Sequence, residues 1–159
     1  MTSGNLRQIR HIACAVRGRL ANRNAVEHAI DLAKQYDARL TFFLVISDDF
    51  LAAATPTMTP TKTLYDGLSE IGEYILVLLS DQAIENGVSE VEYEIRIGDV
   101  RRNLREFAGR TNAQVLVMGR PSGLEPRSIF TPQEFAEFVQ ELEQRGDLSV
   151  EVVEPVSDG

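Results

Sequence analysis

Cysteine is almost missing from this chain of 159 residues: Cys14 is its one thiol. A single thiol forms no internal disulfide and no Cys-rich metal site. It lies in the apolar run Ile12-Ala13-Cys14-Ala15-Val16 and reads as a small buried hydrophobe rather than a nucleophile. Histidine is nearly as scarce. His11 and His28 have no cysteine or carboxylate at metal-ligand spacing, so no metal site is expected. No apolar stretch reaches the roughly 18 residues of a membrane span, and the N-terminus has no apolar signal core. A cytoplasmic protein is therefore expected. Positive charge is in the minority, with 16 Lys and Arg against 24 Asp and Glu, a formal net charge of −8. A uniformly acidic surface keeps a protein soluble and repels phosphate backbones and anionic lipid, so neither nucleic acid nor membrane is an expected partner. Internal repeats and domain linkers are absent too. The expectation is one domain over residues 6–155, with flexible tails at 1–5 and 156–159.

What is present is a regular alternation of two hydrophobic periods. The apolar share of 43% is ample for a core in a chain of this length. Ile9 to Val16 and Leu40 to Ile46 are continuous apolar runs, as in parallel strands buried on both faces. Val115 to Met118 is a third. Val91 to Ile97 alternates apolar with charged residues, the pattern of a strand nearer a sheet edge. Leu148 to Val153 is a final strand. Between these, Ala25, Val26, Ala29, Ile30 and Ala33 mark one helical face, with Asn22 or Asn24 as its cap. Leu64, Leu68, Ile71, Ile75, Leu78 and Leu79 mark the buried stripe of a long helix from about Thr61 to Asn86, with Gly87 as its stop. Val100, Leu104, Phe107 and Ala108 mark a third helix. The fourth has Thr131 as N-cap, Pro132 at the first helical position, Glu134 completing a capping box, and Gly146 as its end. The Thr/Pro-rich stretch 48–61 reads as a loop. The order β-α-β-α-β-α-β-α-β implies right-handed crossovers and a parallel sheet covered on both sides.

Such sheets take ligands at the carboxyl ends of their strands, near a topological switch point. The loops after Val16, Val45 and Met118 are the ones to question. No GxGxxG follows the first strand, and no GxxxxGK[ST] occurs anywhere. Arg17 and Arg19 stand where a receiver domain would carry acidic residues for Mg²⁺. Asp99 and Glu125 are the carboxylates nearest that edge, and loop carboxylates of this kind are usually solvated or ion-paired.

The segment Asn112-Ala113-Gln114-Val115-Leu116-Val117-Met118-Gly119 resembles the Ala-Asp-Leu-Ile-Val-Met-Gly of universal stress proteins, with Gln114 in place of Asp. Phe43-Leu44-Val45-Ile46 sits where that family's second strand ends. Gly98 falls at its third turn, and Leu148 to Pro155 is similar to its closing strand. The resemblance implies a three-layer α/β/α sandwich with a five-stranded parallel sheet, adenine nucleotide alpha hydrolase-like in fold. ATP-binding members carry Gly-x2-Gly-x9-Gly-[Ser/Thr] after the fourth strand, where glycines and helix-terminal amides cradle phosphate. Gly119 matches the first glycine. Ser122 stands at the second, with Gly123 one residue late, and Pro132 and Gln133 stand where Gly-[Ser/Thr] belongs. An alternative alignment uses Arg127 and Ser128. Ala15, Val45 and Met118 are compatible with a nucleoside pocket and equally with a core. Arg17, Arg19, Arg120 and Arg127 form a candidate anion site at the same edge.

Two functions stay open on this reading. One is a non-catalytic stress-response or regulatory module with weak or no ATP binding. The other is an adenine-nucleotide or anion sensor, with slow ATPase activity implied by resemblance alone; ATP, AMP and cyclic AMP are its candidate ligands. The resemblance also implies a homodimer through the last strand, Ser149, Val150, Glu151, Val152 and Val153, whose open edge is a template for pairing. The stretch 48–61 and the long second helix are candidate surfaces for an unidentified protein partner.

Overall fold

Three strands of this chain are apolar on both faces, and each needs helices above and below it. The computed structural model describes residues 8–16, 23–47, 62–121, 130–144 and 148–154. The strands are His11–Val16 (β1), Arg39–Ser47 (β2), Val91–Gly98 (β3), Val115–Gly119 (β4) and Ser149–Val153 (β5). The helices are Arg23–Tyr36 (α1), Lys62–Glu85 (α2), Val100–Arg110 (α3) and Pro132–Glu143 (α4). The sheet order is β3-β2-β1-β4-β5, and every neighbouring pair is parallel. The continuous apolar runs β1, β2 and β4 occupy the centre. The alternating β3 and the short β5 take the edges.

The side chains of each strand divide between two cores. Ile12, Cys14, Leu40, Phe42, Leu44, Val115 and Val117 pack with α1 and α2 on one face. Ala13, Phe43, Leu116 and Met118 pack with α3 and α4 on the other. Phe43 and Phe107 stack there with centroids 4.3 Å apart. Burial pushes the Cys14 thiol up to about 12, which leaves it protonated and inert, as expected of a small hydrophobe.

Local signals hold in detail at several ends. Thr131 Oγ1 accepts from the Glu134 amide at 3.1 Å, and Glu134 Oε1 accepts from the Thr131 amide at 2.9 Å. Pro132 fills the first helical position. Gly87, at φ +106°, closes α2 in a conformation that glycine tolerates. Asn24 lies inside α1 rather than capping it, while Asn22 and Gly146 lie outside the described residues.

The buried face of α2 is not the expected stripe. Leu76, Ala83 and Gly72 are its buried residues, whereas Ile71 is 59% and Leu78 51% exposed. The physical reason is that α2 is apolar nearly all round, so periodicity cannot choose a face. The choice falls to close packing. A Cβ at Gly72 would lie 2.5 Å from Ile95 Cδ1 and 3.1 Å from Leu44 Cδ2, so the missing side chain lets α2 settle onto β2 and β3.

Candidate functional site

The strand order reverses between β1 and β4: the chain builds outward through β2 and β3, then returns to β1's other side. The crevice at their carboxyl ends is where such a sheet takes a ligand. Ala15, Val45 and Met118 point to the same face there, toward α3 and α4. Ala15 is half-buried between buried Cys14 and Val16, and Val45 begins the half-buried end of β2; Met118 is 5% exposed. Gly119 ends β4 and is aligned with Val153 of β5. Ala15, Val45 and Met118 thus share one hydrophobic cluster.

Arg120 follows directly. Its amide donates to the Val153 carbonyl at 2.8 Å, which continues the β4–β5 ladder one step. Its guanidinium Nε donates to Glu154 at 2.9 and 3.2 Å and lies 5.8 Å above the Phe135 ring. This cation is thus engaged by an acid and an aromatic ring of its own fold. Arg17, Arg19, Ser122, Gly123, Arg127, Ser128 and Glu125 lie outside the described residues, as does the stretch 48–61. Asp99 caps α3, accepting from the Arg102 amide at 2.8 Å. That contact accounts for it structurally.

The start of α4 is the place to test for a phosphate cradle. A cradle needs free amides and a positive end. Here Thr131 and Glu134 occupy each other's amides, and Pro132 has no N–H. The Thr131 hydrogen bonds, with a smaller contribution from Arg101, hold the Glu134 carboxyl below its ordinary 4.5. Glu134 is therefore ionised at neutral pH where a phosphate would have to sit. The start of this helix is thus capped by its own residues, with Pro132 at its first position.

The β5 edge has a similar internal occupant. Ser149 donates to Gln114, and the Val153 carbonyl accepts from Arg120, so these residues face β4. Val150 and Val152 therefore turn their backbone groups outward. The Val150 amide donates to Glu143 Oε2 at 3.0 Å, so a side chain of α4 already holds one edge donor. Glu151 reaches His28 Nε2 at 2.6 Å.

Sequence reasoning missed a polar cluster at the opposite, amino end of the sheet. His11 is 7% exposed and Thr41 6%. His11 Nδ1 lies 2.5 Å from Asn112 Oδ1, and Nε2 lies 2.7 Å from Thr41 Oγ1. Arg39 Nη2 donates to the same Asn112 oxygen at 3.1 Å. A neutral ring donating from Nδ1 to Asn112 and accepting at Nε2 from Thr41 satisfies both of these contacts. Burial holds the His11 ring below its ordinary 6.5, with Arg39 adding to the effect. Gln114 Oε1 accepts from the Arg10 and His11 amides, each at 2.9 Å. An amide oxygen here serves as the acceptor, which explains how Gln114 stands where the resembled motif has Asp. Three separate segments of the chain meet in this cluster, so no local signal announces it.

Among the described residues no group of three or more His, Cys, Asp or Glu is placed to hold a metal ion, and no helix is long and apolar enough to cross a membrane.

Comparison with known proteins agrees with this geometry. The sequence model described as the Universal stress protein family matches residues 8–130. No curated protein matches the chain by sequence. Among solved structures, the universal stress protein UspA from Lactobacillus plantarum is similar with a TM-score of 0.66 at 16% identity, over 92% of this chain and 99% of that one. A universal stress protein solved in complex with cAMP has a TM-score of 0.61 at 18% identity, over 93% and 98% of the two chains. A universal stress family protein from Burkholderia pseudomallei has a TM-score of 0.59 at 20% identity, over 92% and 96%.

Proposed function

The chain belongs to the universal stress protein family, and from that premise we propose that it is a non-catalytic stress-response or regulatory module, cytoplasmic and homodimeric, with weak or no ATP binding. Its single domain spans residues 6–155. The observation that carries the reading on ATP is the closed start of α4. The Thr131–Glu134 capping box and Pro132 leave no free, positive helix end for phosphate. The engagement of Arg120 by Glu154 supports it, because a cation already paired gains less from a further anion. Calorimetric titration with ATP, with and without Mg²⁺, tests it: absent or millimolar binding is expected, and tight magnesium-dependent binding overturns it.

The dimer forms through β5, whose outward backbone at Val150 and Val152 is the template. Glu143 must release the Val150 amide first. Light scattering is expected to show a dimer, with Glu143→Ala tightening it; a monomer at micromolar concentration for both proteins removes this part.

A second reading rests on the crevice itself. Ala15, Val45 and Met118 share one face where the strands end, and a protein of similar fold was solved with cAMP. A nucleoside monophosphate or cyclic AMP asks less of the α4 terminus than a triphosphate does. AMP or cyclic AMP binding without ATP binding selects this sensor reading.

A further inference from the structure

Helix α2 is the longest element and the least consistent with its surroundings. A helix with large apolar residues on several faces has more apolar surface than one side of a sheet can cover. This one lies on the outside of β2 and β3. Ile71 is 59% exposed, Tyr74 66% and Leu78 51%, at the i, i+3, i+7 spacing that forms one stripe. Val77 at 38% and Ile84 at 55% form a second row beside it. At about 1.5 Å per residue, the face from Ile71 to Ile84 runs about 20 Å. Scattered exposed apolar residues need no explanation, but a continuous stripe of this length does.

The charge on the same helix says what covers it. Along α2 stand Asp66, Glu70, Glu73, Asp81 and Glu85, and its one base is Lys62 at the first position. Glu73 accepts from the Tyr93 hydroxyl at 3.0 Å. Asp66, Glu70, Asp81 and Glu85 have no cationic partner among the described residues. On α3 and α4, by contrast, Glu106, Glu134 and Glu141 each face an arginine. A second copy docked on this face would bring an acidic helix against an acidic helix, with like charges across the seam. A helix with apolar residues at matching spacing and Lys or Arg beside them meets both features at once.

We propose that the outer face of α2 is a docking surface for a basic amphipathic helix of another protein. Ile71, Tyr74 and Leu78 are its apolar contacts; Glu70, Asp81 and Glu85 select the positive charge. The proposal is independent of nucleotide binding and of pairing at β5.

The probe is a synthetic peptide of about three heptads, with Leu at positions a and d and Lys elsewhere. Its control has Glu in place of every Lys. Calorimetry with the full chain is expected to show binding of the Lys peptide alone. The double variant Tyr74→Ser/Leu78→Ser is expected to weaken it about tenfold or more. Glu70→Gln/Asp81→Asn is expected to weaken it severalfold and to flatten its salt dependence. Glu106→Gln/Glu137→Gln, on the other helical layer, is expected to leave it unchanged. All these positions are exposed, so circular dichroism should report the same fold throughout. Equal binding of the two peptides overturns the proposal. So does equal weakening by the Glu106/Glu137 pair, which would mean diffuse attraction to an acidic protein. So does conversion of a dimer to a monomer by Tyr74→Ser/Leu78→Ser, which would give the face to a second copy.

Discussion

The two helical layers treat the same acidic composition in opposite ways. On the α3–α4 side, Arg101 lies 4.5 Å above Phe130, Arg110 5.2 Å above Phe107, and Arg105 5.7 Å above Phe138. The same arginines pair with Glu134, Glu94 and Glu141. Each cation lies over an aromatic ring and also meets an acid. On the α2 side, Asp66, Glu70, Asp81 and Glu85 have no cationic partner among the described residues, and Ile71, Tyr74 and Leu78 are exposed beside them. The net charge of −8 is therefore not spread evenly, as the composition suggested. Helix α2 carries five acids against one base, whereas α3 and α4 together carry five acids against four arginines. A formal charge describes a whole chain; only its partition describes a surface.

The largest expected effect separates a packed layer from an open one. Phe107→Ala removes a ring that is 2% exposed and stacked on Phe43, and should cost about 3–5 kcal/mol in urea unfolding. Tyr74→Ala, at 66% exposure, should stay within about 0.5 kcal/mol. Comparable losses would mean that the α2 face is structural and would end the contrast between the layers.

Within α2 the same test can be made between two glycines. Gly72→Ala places a Cβ 2.5 Å from Ile95 Cδ1 and should destabilise by about 1–3 kcal/mol through overpacking. Gly67→Ala meets nothing within 4 Å and should stabilise the helix by up to about 1 kcal/mol. Equal shifts would place the wrong side of α2 against the sheet.

The α4 start offers a smaller effect. Thr131→Ala loses a hydroxyl acceptor and should cost about 1 kcal/mol. The Glu134 half of the box has a pH signature. Its folded carboxyl lies below the ordinary 4.5, so its contribution is present above 4.5 and is lost as pH falls through the lower folded value. Urea midpoints of the wild type and Thr131→Ala should converge in that acid range.

The smallest effect belongs to His11. Its folded ring lies below 6.5, so between that value and 6.5 the unfolded chain binds more protons than the folded one. Its contribution is complete above 6.5 and is lost as pH falls through the folded value. His11→Gln should flatten this part of the pH dependence, leaving the carboxylate part further down. An unchanged slope would mean that the ring accepts its charge in place, against Arg39.

Much of the fold was legible because the relevant forces are local. Alternation in Val91 to Ile97 marked β3 as an edge, since one face of that strand meets water. Thr131, Pro132 and Glu134 marked the start of α4 because a cap is satisfied within four residues. The site was legible only in part. Ala15, Val45, Met118 and Gly119 follow from where parallel strands end. The partner of Arg120 did not, because Glu154 follows a different strand and reaches it only once β4 and β5 pair. The His11 cluster was illegible for the same reason, being assembled from β1, β2 and the segment before β4.

The element order, the family resemblance and the capping box at the start of α4 could be read along the chain, because period, spacing and capping are local. Tertiary structure alone decided which face of α2 is buried, where the unpaired acids collect, and that Glu143 occupies the open edge of β5. Those outcomes depend on contacts between segments far apart in sequence. A helix with apolar residues on several sides names no buried face until a sheet, and one missing Cβ at Gly72, choose it.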